Sequence, residues 1–167
     1  MILIKMIKKI KENIFQLCFK EFGSCVYILK LDKNILIDTG SKNNKEELLS
    51  DLKKEGLNAE DIDIVILTHS HYDHNGNVGL FTDAEVYDNK NISDLDDKFG
   101  FKIIKTPGHT KDSICLIYEN ILFSGDTIFH EGGRGRTDLP GGSEEQILDS
   151  IRRLKEINYK ILCPGHD

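Results

Sequence analysis

Residues 61–74 read DIDIVILTHSHYDH. The half that ends at Thr68 is a nearly continuous β-branched run, the composition of a strand buried on both faces. Four ligand-type side chains follow at once: His69, His71, Asp73 and His74. If the chain leaves the strand after Thr68, alternating positions turn both His69 and His71 to one side. Asp73 and His74, a turn further on, can point at a neighbouring position. The whole chain has only 6 histidines, so this density points to a metal site rather than to scattered surface residues.

Outward from this stretch the pattern alternates between strand and helix signals. MILIKMIKKIKENIFQL at the start has its apolar residues broken by lysines, so it reads as a first strand approaching a hairpin and not as a signal peptide or a membrane span. Residues 13–20, 24–31 and 35–40 are expected strands joined by tight turns. Leu48, Leu49 and Leu52 among lysines and glutamates predict an amphipathic helix over 42–55, stopped by Gly56. Short strands are expected at 84–88 and 101–105, and a hairpin at 113–118 and 121–126 across Glu119-Asn120. Ser143 with Gln146 three residues on is a capping-box signal. Ile147, Leu148, Ile151, Leu154 and Ile157 then mark one helical face, and 159–165 is the last strand. Helices recurring between strands predict a layered α/β fold.

Length and composition bound the class. At 167 residues, with 39% apolar and 30% charged residues, the chain reads as one globular domain over 1–167. A net charge of −6 argues against a nucleic-acid partner, which calls for a basic footprint. Cys18, Cys25, Cys115 and Cys163 form no CxxC pair and are expected as free buried thiols in a reducing, cytoplasmic setting. No membrane association is expected.

Three further ligand candidates share one local grammar: an apolar strand, a turn of small residues, then a ligand-type side chain. His109 lies in TPGHT, Asp126 ends ILFSGD, and His166 follows ILCPG. Imidazole and carboxylate together suit zinc, iron or manganese. Each histidine alone is better read as an ordinary surface or core residue. Five of them with two aspartates are not. His130 stands outside the pattern and is read as exposed or as a less direct support.

The set His69-Ser70-His71-Tyr72-Asp73-His74, His109, Asp126 and His166 resembles the metal-ligand set of the metallo-β-lactamase-fold hydrolases. The resemblance runs from Asp38-Thr39-Gly40 to Gly165-His166-Asp167, and GRTDLPGGSEEQILDSIRRL at 135–154 is similar to the small glyoxalase II-like group. It implies a compact four-layer αββα sandwich. It implies two divalent ions, zinc first, with iron or manganese as alternatives. His69, His71 and His109 would hold one, Asp73, His74 and His166 the other, and Asp126 would bridge them. Asp38, helped by Thr68, would sit behind the ligands and orient the histidine loop. Such a pair of ions acidifies a shared water, and Asp73 would serve as ligand and as acceptor of its proton.

The resemblance implies a metal-dependent hydrolase of a small-molecule thioester, like hydroxyacylglutathione hydrolase. Two alternatives stay open. One is a persulfide dioxygenase with a single iron held by two histidines, His109 with His69 or His71, and Asp126. The other is a binuclear hydrolase of phosphodiesters. A chain stopping at Asp167 lacks the helical domain with which glyoxalase II helps bind its glutathione thioester, so another thiol carrier is admitted. The short span between His74 and His109 predicts an open site, or one completed by a second subunit in a homo-oligomer.

The loop EGGRGRTDLPGG, residues 131–142, carries Arg134 and Arg136. Arginine suits carboxylate and phosphate geometry, so one reading is a clamp for an anionic substrate. The other is a brace, with Arg136 pairing Asp138. The brace is slightly preferred for Arg136, and the two readings stand level for Arg134.

Overall fold

The computed structural model describes residues 7–95 and 97–167; the expected strand at the start of the chain lies partly outside them. The chain forms two units, which are described separately. The first holds residues up to Leu67 together with His71–Tyr87; the second holds Thr68–Ser70 and Asp88–Asp167. The histidine segment quoted above thus belongs to both.

The first unit is built on a six-stranded sheet in sequence order: β1 (Lys8–Lys11), β2 (Ile14–Leu17), β3 (Val26–Lys30), β4 (Asn34–Ile37), β5 (Ile64–Ile66) and β6 (Glu85–Tyr87). The first four strands pair antiparallel; tight turns join β1 to β2 and β3 to β4, whereas β2 and β3 are joined by the longer segment 18–25, where a tight turn is expected from the sequence. Then β4, β5 and β6 run parallel, joined by crossovers. The crossover from β4 to β5 contains α1 (Lys45–Lys54). Leu48 and Leu52 of α1 lie in one cluster with Leu17, Val26, Ile28, Leu36 and Val65, which share a face of the sheet. The alternate residues Leu29, Ile35, Ile37, Ile64 and Ile66 are buried too. The unbroken apolar runs of these strands follow from that two-sided burial. The expected strand at 61–68 is shorter than its composition implies, because residues 59–61 wind into a single 3₁₀ turn.

The second unit carries a four-stranded sheet in the order β10 (Ile161–Pro164), β9 (Ile121–Gly125), β8 (Ile114–Tyr118), β7 (Phe101–Lys105). The hairpin between β8 and β9 turns at Glu119, whose φ is 53°. Between β9 and β10 runs α3 (Glu144–Lys155), so β10 returns parallel to β9. Ser143 is its N-cap, and its hydroxyl accepts the Gln146 amide at 3.3 Å. Leu154 packs with Cys115, Ile117, Leu122 and Leu162. The remaining helix, α2 (Tyr72–Asn75), is one turn of the first unit.

The cysteine expectation is corrected in part. Cys115 and Cys163 are buried thiols outside any disulfide, but Cys18 and Cys25 form one. The ladder register explains it: Leu17 faces Val26, so the next positions out, 18 and 25, lie opposite each other with Cα atoms 4.5 Å apart. A spacing of seven does not announce that in the sequence. The closed loop is anchored where it leads. The Glu21 carbonyl accepts the Asn44 amide and the Phe22 carbonyl the Ser41 hydroxyl, while the Ser24 N–H donates to the Asp73 carbonyl. Chain entropy over so short a loop contributes about 2.5 kcal/mol. Reduction is expected to lower the melting temperature by about 5–10 °C and to expose two additional thiols to alkylation, read by calorimetry and mass spectrometry.

Candidate metal centre

Four of the seven candidate ligands meet at one end of the second unit's sheet. The C-termini of β7 and β9 and the start of β8 lie at that end because β7 and β9 each pair antiparallel with β8. Asp126 follows β9. His166 follows β10 two residues after Pro164, which pairs with Gly125. His109 lies in the connection from β7 to β8. His69 is brought in by the Ile114 amide at the start of β8, which donates to the Thr68 carbonyl at 2.9 Å. His69, His109 and Asp126 are buried and His166 is half-buried. The ligand atoms of His69 lie within 4.8 Å of those of His109 and of Asp126. Asp126 Oδ2 is 3.4 Å from His109 Nε2 and 3.5 Å from His166 Nε2.

The other three, His71, Asp73 and His74, stand on and before α2 in the first unit. His71 is its N-cap, and Asp73 and His74 are buried within it. His74 is fully enclosed. Its Nδ1 lies 2.7 Å from Asp38 Oδ2, and its Nε2 is 3.9 Å from Asp73 Oδ2. Asp38 follows β4 with a φ of 61°, its N–H bonded to the Ile66 carbonyl, so the ends of two parallel strands fix it. Thr39 donates its N–H and its hydroxyl to the His74 carbonyl, and the Asn77 amide bridges the Thr39 and Ser41 carbonyls.

Thr68 and Asp38, read from the sequence as supports, each contact a candidate ligand histidine; Thr68 Oγ1 is 3.1 Å from His69 Nδ1. The support for His109 comes from a place the sequence reading did not reach. Its Nδ1 lies 2.7 Å from the Arg136 carbonyl oxygen. A carbonyl only accepts, so Nδ1 carries the proton and Nε2 presents its lone pair to Asp126. Asp38 imposes the same tautomer on His74. A lone pair and a carboxylate oxygen facing each other at 3.4 Å repel unless a cation shares them, and the separation exceeds the roughly 2.7–3.2 Å of a good N–H···O bond. The donor set therefore fits a divalent metal.

Glycines let the chain come this close. Gly108 has a φ of 144°, and a Cβ there would fall 2.3 Å from the Ile147 backbone of α3. A Cβ on Gly135 would fall 2.2 Å from the Asp126 carbonyl and 2.7 Å from His109 Nδ1. The arginine side chains near it turn to acids in their own unit. Arg136 Nε donates to Asp138 at 2.7 Å, and Arg134 makes a two-pronged pair with Glu144 at 2.6 and 2.8 Å. The brace is what both arginines form here. His130 is largely exposed, 3.7 Å from Asp167.

The metallo-beta-lactamase superfamily profile matches residues 19–92 and 89–166. The chain belongs to the metallo-β-lactamase superfamily. It is 35% identical over 184 residues to a probable metallo-hydrolase of Methanocaldococcus jannaschii, covering 87% of this chain and 88% of that protein. It is 31% identical over 149 residues to a hydroxyacylglutathione hydrolase of Psychromonas ingrahamii, covering 77% of this chain but 55% of the relative. Among solved structures, TTHA1623 in a di-iron-bound form aligns with a TM-score of 0.74 at 25% identity, covering 92% of each chain. The α/β metallo-β-lactamase fold expected from the ligand motif is therefore the fold of this chain, and it is one that binds metal ions. Among the described residues, no helix is long and apolar enough to cross a membrane.

Two outcomes are expected. Gly135→Ala should lower bound metal per chain, read by elemental analysis, because the new methyl displaces either the Asp126 backbone or the His109 ring. The second concerns pH. The Arg136 guanidinium holds the Asp138 carboxyl down at about 2, and Arg134 with Thr137 lowers that of Glu144. A lowered carboxylate stabilises the folded loop above its ordinary range, and the effect is lost as pH falls through the lowered value. A side-chain NMR titration should therefore find Asp138 still ionised at pH 3.

Proposed function

We propose that the chain is a hydrolase that uses two divalent metal ions, zinc first, to cleave a small-molecule thioester. The observation that carries this reading is the placement of Asp126 Oδ2 between His109 Nε2 and His166 Nε2, at 3.4 and 3.5 Å. One carboxylate oxygen close to an imidazole of each proposed ion suits a bridging ligand. In this reading His69, His71 and His109 hold one ion, Asp73, His74 and His166 hold the other, and Asp126 serves both. The relatives named as metallo-hydrolases and as a hydroxyacylglutathione hydrolase support hydrolysis, and the latter supports a thioester.

Bound divalent metal supplies a water acidified to near neutral pH and a Lewis acid for the carbonyl oxygen. The protein supplies orientation and the proton path. Asp73, buried beside His74, would accept a proton from the water as its oxygen adds to the thioester carbonyl carbon. As the carbon–sulfur bond breaks, Asp73 would pass that proton to the departing thiolate, leaving the carrier as a thiol and the acyl group as a carboxylic acid that ionises to the carboxylate. Asp38 and the Arg136 carbonyl keep two imidazoles in the tautomer that binds metal. No serine or cysteine nucleophile is required, and burial pushes the Cys115 thiol up to about 11, away from reactivity.

Elemental analysis of the purified protein, with turnover measured on a thioester panel that includes glutathione and coenzyme A carriers, tests the reading. Two zinc ions per chain with thioester cleavage are expected. One iron per chain with oxygen-dependent turnover, or cleavage of phosphodiesters alone, would sink it. Asp126→Asn is expected to lose at least one ion per chain and to cut turnover on the order of 100-fold or more.

A further inference from the structure

We propose that Glu144 is a positioning residue for His109, acting through the short loop whose backbone holds the imidazole. The proposal rests on the reading of His109 as a metal ligand. Its basis is a chain of contacts within the second unit. The Glu144 carboxylate, in the first turn of α3, accepts two hydrogen bonds from the Arg134 guanidinium, at 2.8 and 2.6 Å, and one from the Thr137 hydroxyl at 3.0 Å. Arg134 and Thr137 flank the dipeptide Gly135-Arg136. That dipeptide makes the two backbone contacts to ligands: Gly135 N–H donates to the Asp126 carbonyl at 2.9 Å, and the Arg136 carbonyl accepts from His109 Nδ1 at 2.7 Å. One carboxylate therefore pins both ends of the segment that orients a ligand ring.

The same helix fixes His109 from its other side. Ser143 N–H donates to the Gly108 carbonyl at 2.7 Å, and the Ser150 hydroxyl to the Pro107 carbonyl at 2.8 Å. Thus α3 sets the backbone of the His109 turn directly and, through Glu144, the carbonyl that fixes the tautomer of the ring. The adjacent Arg136–Asp138 pair lies outside this chain. Its side chains are 62% and 66% exposed, and they tie residues only two apart. An exposed pair of that kind contributes little. The Glu144 contacts differ in taking in the Thr137 hydroxyl as well and in joining the helix to a loop ten residues earlier.

The test compares Glu144→Ala, Glu144→Gln and Asp138→Asn with the wild-type protein. Zinc affinity is measured by competition with a chromophoric chelator, and ligand geometry by the visible absorption of the cobalt-substituted protein. The His109 tautomer is read by long-range proton–nitrogen NMR on metal-free protein. Glu144→Ala is expected to weaken zinc binding about 10-fold, the lower end for a partner behind a ligand. It should shift the cobalt bands and replace the single Nδ1–H tautomer of His109 by a mixture. Glu144→Gln, which keeps an acceptor for Thr137, should fall between. Asp138→Asn should match the wild type in all three readouts. A wild-type tautomer and wild-type zinc affinity in Glu144→Ala would overturn the proposal while leaving the metal reading intact. A wild-type protein that binds no zinc overturns both. Glu144→Ala that melts below the wild type yet keeps the Nδ1–H tautomer assigns the residue to stability alone, and overturns the positioning role.

Discussion

An imidazole offers a defined lone pair to a metal only when its other nitrogen is held by an acceptor, and the candidate centre is arranged around that constraint. Two of the histidines meet it, and a third has a partner that can donate or accept. His74 is held by the Asp38 carboxylate and His109 by the Arg136 carbonyl, while His69 Nδ1 lies against the Thr68 hydroxyl. Each tether dictates surrounding structure. Asp38 has to stand at the end of β4 with a positive φ. The loop at 134–137 has to fold back onto Asp126. Thr68 has to lie beside the start of β8. Many of the structure's unusual backbone positions and closest approaches occur at these tethers.

The tethers work because the strand ends are already gathered. In the first unit, the parallel pairing of β4 and β5 places Asp38 level with the end of β5, where its N–H reaches the Ile66 carbonyl. In the second, the parallel pairing of β9 and β10 brings Asp126 and His166 to the same edge, and the β7–β8 connection turns there. Ligands collected beyond the carboxyl ends of parallel strands are a general consequence of α/β topology. The buried apolar strands supply rigidity, and the residues just past them supply chemistry.

Much of this was legible in the sequence because it is written in local patterns. The β-branched run at 64–66, the leucine spacing of α1, the Ser143 cap and the strand–turn–ligand grammar of His109, Asp126 and His166 each depend on residues close together in the chain. What was not legible depends on register or on backbone atoms. The disulfide needs Leu17 to face Val26, a fact of pairing that a spacing of seven does not announce. The Arg136 carbonyl is a backbone atom and has no letter of its own; Gly135 beside it was the available signal, since a glycine between two arginines is a position where a side chain does not fit. Asn77 and Ser24 escaped for the same reason, since they act on the main chain of Thr39, Ser41 and Asp73. For the arginines the sequence leaves clamp and brace open, and the acids that pair with them, Glu144 and Asp138, lie within ten residues in sequence.

The charge pattern adds a last step. Asp38, Asp73 and Asp126 are at most 7% exposed, and burial of a carboxylate is costly unless opposite charge or strong hydrogen bonds offset it. His74 lies against Asp38 and Asp73, and His109 and His166 lie against Asp126. Neutral imidazoles, in the tautomer the tethers of His74 and His109 favour, would leave the acids' charge in place. Protonated imidazoles would offset it, but only by giving up the lone pairs that the tethers present. A divalent cation would resolve the conflict: it would neutralise carboxylate charge and use those lone pairs at once. Metal affinity and the stability of the buried carboxylates would then be the same free energy seen from two sides.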